Sequence, residues 1–224
     1  MIDTHCHLND SQFDNDLENV INSFFVSGGD SIICVSADYP SSIKAKQIAE
    51  INDNIYYTIG VHPDDCNSYD ETELEDLIIT KSDKLVAIGE IGLDYFHNKL
   101  NRAKQIEVFT SQINLAIKYR LPIIIHCRDA YQDVLEILKK YSPLEVGVVM
   151  HCYSGSLEFA RGLIKLGVKI SFTGNVTYKN SIKTKDVAKN IPLESMFFET
   201  DAPYLTPEPN RGKRNEPKYV FNTA

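Results

Sequence analysis

Two imidazoles one residue apart, His5-Cys6-His7, stand at the end of the chain's first apolar run. Residues two apart on a strand project to the same side, so both rings can face one point. A pair of neutral imidazoles is the beginning of a divalent-metal site. The H-x-H spacing alone is a weak signal. It gains weight because Glu90, His126, His151 and Asp201 each follow a separate strand-like run. A carboxylate has two oxygens and can bridge two cations, which an imidazole cannot. The expected arrangement therefore puts His5, His7 and Asp201 around one ion and His126 and His151 around another, with Glu90 holding both about 3.5 to 4 Å apart. Such a pair acidifies water enough to supply hydroxide near neutral pH, a hydrolytic nucleophile that needs no Ser or Cys. Asp201 is placed both to ligate and to accept the water's proton. Taken in isolation before Ala202-Pro203, it reads equally as a turn aspartate.

Other polar residues near these positions carry less information. Arg128, two residues past His126, offers a forked donor to a phosphate or carboxylate, with a salt bridge to a rim acid as the ordinary alternative. His62, in Gly60-Val61-His62-Pro63, is either a substrate contact or a rim histidine held by a hydrogen bond. His97 belongs to no motif and reads as a surface residue. Cys6, Cys127 and Cys152 adjoin candidate ligands, and strand alternation turns them away as small core fillers behind the site.

The elements that must position these groups alternate short β-branched runs with helix-period segments, the pattern of a parallel sheet covered by helices. Candidate strands are residues 1–4, 31–35, 55–60, 85–89, 122–125, 146–150, 168–172 and 196–199. After the first, Phe13, Leu17, Val20, Ile21 and Phe24 recur at helical spacing, and Gly28-Gly29 ends the segment. Ile106, Phe109, Ile113 and Ile117 follow the fourth strand, Val134, Leu138 and Tyr141 the fifth, and Leu157, Ala160 and Ile164 the sixth. Eight strands at this length predict an α/β fold, a (β/α)8 TIM barrel forming a single domain over 1–224, whose active site lies at the carboxyl ends of its strands. The candidate ligands all fall at such ends.

Composition excludes several classes. A hydrophobic content of 43% suits one sizeable core. A net charge of −8 argues against coating duplex nucleic acid, where Lys and Arg neutralise phosphates. The dense basic run, Arg211-Gly212-Lys213-Arg214, is as readily a solvated loop as a binding element. Five cysteines without a paired framework fit a reducing compartment. No signal peptide or membrane span is evident, so a cytoplasmic location without membrane partners is expected.

Together the motifs resemble the TatD family of metal-dependent deoxyribonucleases within the amidohydrolase-like barrels. The resemblance rests on Asp3-Thr4-His5-Cys6-His7-Leu8, Gly60-Val61-His62-Pro63, Gly89-Glu90-Ile91-Gly92-Leu93-Asp94-Tyr95 and Ile125-His126-Cys127-Arg128-Asp129-Ala130. It continues through His151-Cys152-Tyr153-Ser154-Gly155, Glu199-Thr200-Asp201-Ala202-Pro203-Tyr204-Leu205 and Arg211-Gly212-Lys213-Arg214-Asn215-Glu216-Pro217. The motifs span the chain in the family's order. The resemblance implies a barrel with His5, His7, Glu90, His126, His151 and Asp201 around two divalent ions, drawn from Mg, Mn, Zn, Ni or Co. It also implies hydrolysis of DNA phosphodiesters, 3′ to 5′ exonucleolytic; the residues themselves offer Glu90 and Asp201 as catalytic groups and His62 and Arg128 as substrate contacts. The expected partner is DNA with single-stranded or frayed ends, in repair or degradation. Departures from the pattern are Tyr153 where Phe is frequent, and Phe96-His97 after Tyr95 where the family often has Tyr-Arg. If that Arg holds a phosphate, its replacement weakens binding and leaves the chemistry intact.

Family members continue beyond the Asn-Glu-Pro motif into a final helix, so the closing helix over the seam between last and first strand is expected to be missing or truncated. Its loss exposes apolar surface worth several kcal/mol at about 25 cal/mol per Å2. Self-association or a rearranged C-terminus is the expected cover. Two other functional readings compete with nuclease action: hydrolysis of a small ester, amide or aminoacyl substrate at the same dinuclear site, and a non-catalytic scaffold with a vestigial site.

Overall fold

A computed structural model describes residues 1–97 and 101–224. The apolar runs form β1 (Ile2–Cys6), β2 (Ser31–Cys34), β3 (Ile55–Ile59), β4 (Leu85–Asp94), β5 (Ile123–Arg128), β6 (Val148–Met150), β7 (Lys169–Phe172) and β8 (Met196–Phe198). They pair in parallel in the order of the chain, as a (β/α)8 barrel requires. The outer layer is α1 (Leu17–Val26), α2 (Tyr39–Glu50), α3 (Glu71–Ile79), α4 (Arg102–Tyr119), α5 (Tyr131–Lys140), α6 (Leu157–Lys165), α7 (Ile182–Asn190) and the single turn α8 (Val220–Thr223).

The helices whose apolar stripes are legible in the sequence bury those stripes: Val20, Ile21 and Phe24 in α1, and Val134 and Leu138 in α5. Phe13, which shares the α1 spacing, lies instead in a short 3-10 turn, Ser11–Phe13. α1 ends as its glycines require, with Gly28 at φ 92° and the N–H groups of Gly28 and Gly29 donating back to Phe25 and Phe24. No stripe marks α2, α3 or α7; caps explain two of them. Asp38 and Ser41 form a reciprocal capping box on α2, with Pro40 in its first turn. Asp70 accepts from the N–H groups of Thr72 and Glu73 at the start of α3.

Three strands run further than periodicity predicts, and this positions the site. β1 continues through His5, β5 through His126 to Arg128, and β4 through Glu90 to Asp94. β4 and β5 stay paired over that extension, Gly92 opposite His126 and Asp94 opposite Arg128. The extension depends on Gly92, which has φ 145° and whose added Cβ would come 2.0 Å from the His126 carbonyl oxygen. Gly92→Ala is therefore expected to cost about 3 kcal/mol or more, read as a fall in urea midpoint with an unchanged m-value.

The seam between β8 and β1 is closed by hydrogen bonds. Asp201 N–H donates to His5 O (2.8 Å) and His7 N–H to Ala202 O (2.7 Å). Thr200 donates its N–H (2.9 Å) and hydroxyl (2.6 Å) to the fully buried Asp3 carboxyl, which burial pushes up to about 8 against those bonds. After β8 come a 3-10 turn, Pro217–Tyr219, and the four-residue α8, with Pro217 and Val220 buried. On β1 and β8, Ile2 is 48% and Phe197 36% exposed. The basic run is partly structural: Arg214 donates two hydrogen bonds to Asp16 (2.9 and 2.6 Å) and lies over the Phe13 ring. Arg211 stacks on Tyr178. No helix among the described residues is long and apolar enough to cross a membrane.

Candidate metal centre

At the carboxyl ends of the strands, Glu90 sits almost fully buried with its two oxygens facing different imidazoles. Oε2 lies 3.7 Å from His5 Nε2 and 3.9 Å from His7 Nε2. Oε1 lies 2.8 Å from His126 Nδ1 and 2.9 Å from His151 Nε2. Asp201 completes the first side, its Oδ1 being 3.3 Å from His7 Nε2 and 3.7 Å from His5 Nε2. The six side chains thus come together although they stem from five different strand ends. The His5 and His7 rings place their Nε2 atoms 3.3 Å apart, as period-two geometry requires.

Three of the four imidazoles are held from behind. His7 Nδ1 meets Val35 O at 3.0 Å, His151 Nδ1 meets Glu199 Oε1 at 3.1 Å, and His126 Nε2 meets Asp94 Oδ2 at 3.1 Å. Each then presents its other nitrogen to the cluster, the arrangement by which outer groups orient metal-ligating histidines. His5 Nδ1 is buried without a partner among the described residues. A cation with ligand bonds of about 2.0–2.2 Å separates its ligands by roughly 3–3.5 Å, so the donor set and its spacing fit divalent metal.

Charges in the metal-free cluster are shared with protons. Burial pushes the Glu90 carboxyl up, but the charge of His151 and hydrogen bonds from His126 and His151 outweigh it and hold it well below the usual carboxylate range. Burial pulls His126 down, yet its bonds to Asp94 and Glu90 raise it to about 9. His151 is likewise raised, its burial outweighed by Glu90 and Glu199, whereas burial and the charge of His151 drive His5 well below its ordinary value. A cation must displace the His126 proton at any pH below about 9. Metal affinity is therefore expected to rise with pH through that value, as His126 and His151 give up their protons. The metal-free protein follows the opposite trend, because a raised folded-state value contributes stability that is complete below about 6.5 and lost as pH rises through 9. Calorimetry in two buffers of different ionisation enthalpy checks this: protons released on metal binding at pH 7, and fewer near pH 10.

A cavity of about 890 Å3 opens over the cluster, lined by His7, His62, Glu90, His126, Arg128 and Asp201, among others. His62 lies three residues past β3 and caps the following 3-10 turn, its Nδ1 accepting from Asp64 N–H at 3.2 Å, which leaves Nε2–H facing Glu90 Oε1 at 3.9 Å. Burial lowers His62 to about 4, so the ring is neutral. Arg128, expected either as an anion receptor or in a salt bridge, stacks over the Phe96 ring at 4.0 Å. Among the described residues it pairs with no carboxylate.

Several positions at the site are not distinguished by the sequence. Asp94 and Glu199, which steady His126 and His151, were legible only as polar residues ending apolar runs. His97 is not merely a surface residue: half-exposed, it lines the cavity with its Nδ1 2.9 Å from Asp94 Oδ2. Cys6 is buried behind the site as alternation predicts, but Cys127 and Cys152 reach the cavity wall. His151 and Cys152 lie beyond the end of β6 and Cys152 has φ 44°, so the alternation rule no longer applies there.

The fold and site define a metal-dependent hydrolase built on a (β/α)8 barrel. Residues 2–224 match the family described as TatD related DNase. The uncharacterized metal-dependent hydrolase YabD of Bacillus subtilis is 48% identical over all of this chain and 88% of its own length. The crystal structure of YJJV, a TatD homolog from Escherichia coli K12, superposes with a TM-score of 0.93 at 32% identity, covering 99% of this chain and 86% of that one. The 3′-5′ ssDNA/RNA exonuclease TatD of Escherichia fergusonii is 30% identical over 98% of this chain and 87% of its own. The chain belongs to the TatD family.

Proposed function

We propose that this protein hydrolyses phosphodiester bonds at single-stranded or frayed DNA ends in the cytoplasm, with two divalent ions held by His5, His7, Glu90, His126, His151 and Asp201. The observation that carries this reading is the division of Glu90, one oxygen toward His5 and His7 and the other toward His126 and His151. Ions bound on both sides would supply hydroxide at neutral pH and offset charge on the phosphoryl oxygens. Glu90 keeps the two halves of the site in register. Asp201, beside His7 and at the cavity wall, takes the proton from the attacking water. His62, neutral and with Nε2–H turned inward, donates to a phosphoryl oxygen, and the Arg128 fork takes substrate anion at the rim. The similarity to a relative named as a single-strand exonuclease supports the substrate class.

The test is incubation of metal-loaded protein with oligonucleotides labelled at either end. Stepwise shortening from the 3′ end that stops with chelator is expected; intact oligonucleotides over a panel of Mg, Mn, Zn, Ni and Co would overturn the reading. One observation favours hydrolysis of a small ester or amide instead. Among the described residues lining the cavity, Arg128 is the single permanent cation, beside four carboxylates, Asp10, Asp64, Glu90 and Asp201. Turnover of an ester or lactone by protein that leaves DNA intact would establish that alternative.

The partner reading includes self-association over the β1–β8 seam, where Ile2 and Phe197 are exposed. Sedimentation velocity is expected to show a species larger than the monomer that Phe197→Asp dissociates; a monomer at every concentration would refute it.

A further inference from the structure

The stretch Phe96-His97 forms one unit with Arg128 on the cavity rim. Asp94 builds it: Oδ1 accepts the N–H groups of Phe96 and His97 (2.8 Å each), while Oδ2 accepts His97 Nδ1–H at 2.9 Å. Asp94 is 0% exposed, and with both backbone N–H groups and the imidazole on its two oxygens it fixes the orientation of His97. Phe96 is 52% exposed as a ring but covered on one face by the Arg128 guanidinium at 4.0 Å and at its edge by His97, ring centroids 5.0 Å apart and nearly perpendicular. The backbone locks the two segments together, Tyr95 N–H donating to Arg128 O at 2.9 Å. His97 and Arg128 both line the cavity, outside the cluster of six.

We propose that His97 and Arg128, mounted on Phe96 and Asp94, form a second anion subsite that takes a phosphate of the substrate adjoining the scissile one. With Nδ1–H committed to Asp94, His97 offers Nε2–H to the anion, and Arg128 supplies the planar fork. The subsite rests on the phosphodiesterase reading above and deepens it. A substrate with a single phosphate or a neutral ester fills only the metal side, whereas an oligonucleotide fills both. Asp64, at the same rim, opposes anion binding.

Calorimetry on the metal-loaded protein tests it with deoxyadenosine 3′,5′-bisphosphate against deoxyadenosine monophosphate. Wild type is expected to prefer the bisphosphate by about tenfold or more, the scale of one charge-assisted contact. His97→Ala and Arg128→Ala should each collapse that preference toward unity, His97→Arg should retain it, and Asp64→Asn should increase it. A merely structural role for His97 would lower both affinities together and leave their ratio unchanged, which overturns the proposal. So would a third equivalent of Mn2+ bound by wild type and lost in His97→Ala, since His97, Asp64 and Asp94 would then be a cation site. Hydrolysis of bis(p-nitrophenyl) phosphate by wild type separates the two readings. If it fails while the bisphosphate preference holds, the function is wrong and the subsite stands.

Discussion

Glu90→Ala is expected to lose metal-dependent hydrolysis by about 10³-fold or more, because this carboxylate turns one oxygen to each half of the cluster. Each ion would lose a ligand and half of a shared negative charge, and the groups left behind are mostly imidazoles. The folding cost is smaller than a buried charge pair suggests. Removing one member of such a pair costs about 3–5 kcal/mol when the other stays charged, but His126 and His151 can shed the protons that Glu90 stabilises. The variant should therefore fold near pH 8 and retain fewer than two ions after dialysis, measured by plasma mass spectrometry beside the rate on labelled oligonucleotide. Wild-type turnover in this variant would revive the scaffold reading.

Asp201→Asn separates the two roles of that residue. Asp201 has φ 58°, a left-handed conformation that Asn tolerates as readily as Asp, so the backbone and its bonds to His5 and Tyr204 should survive the change. What is lost is basicity at the wall of the cavity. With metal raised to saturation, kcat is expected to fall about 10² to 10⁴-fold, the range for removal of a general base, with KM nearly unchanged. A turn aspartate and nothing more would leave kcat within a few-fold of wild type.

Much of this site was legible from the chain itself. The H-x-H pair works because strand alternation holds through β1, and the rings do meet. Glu90, His126, His151 and Asp201 were legible as a set, because ligand-type residues closing one apolar run after another add weight that none has alone. Asp94 and Glu199 close such runs as well, yet nothing local distinguishes a carboxylate that steadies an imidazole from one that caps a turn. His97 is indistinct in the sequence for the same reason: its partner is three residues away, but its place at the cavity comes from the pairing of β4 with β5. Cys152 was misjudged because the rule used for it belongs to strands and the residue lies past one.

Side-chain type, period and run length are properties of a segment, and they determined by themselves the eight strands, the barrel they imply and the donors available for metal. Which oxygen of Glu90 faces which imidazole, which nitrogen each ring turns inward, and which rim groups share a platform were decided only by the closed sheet. Those relations join residues up to about two hundred positions apart, as Asp201 N–H meets His5 O across the seam. Curvature and strand extension, enforced at Gly92 by a backbone approach too close for any side chain, set such distances.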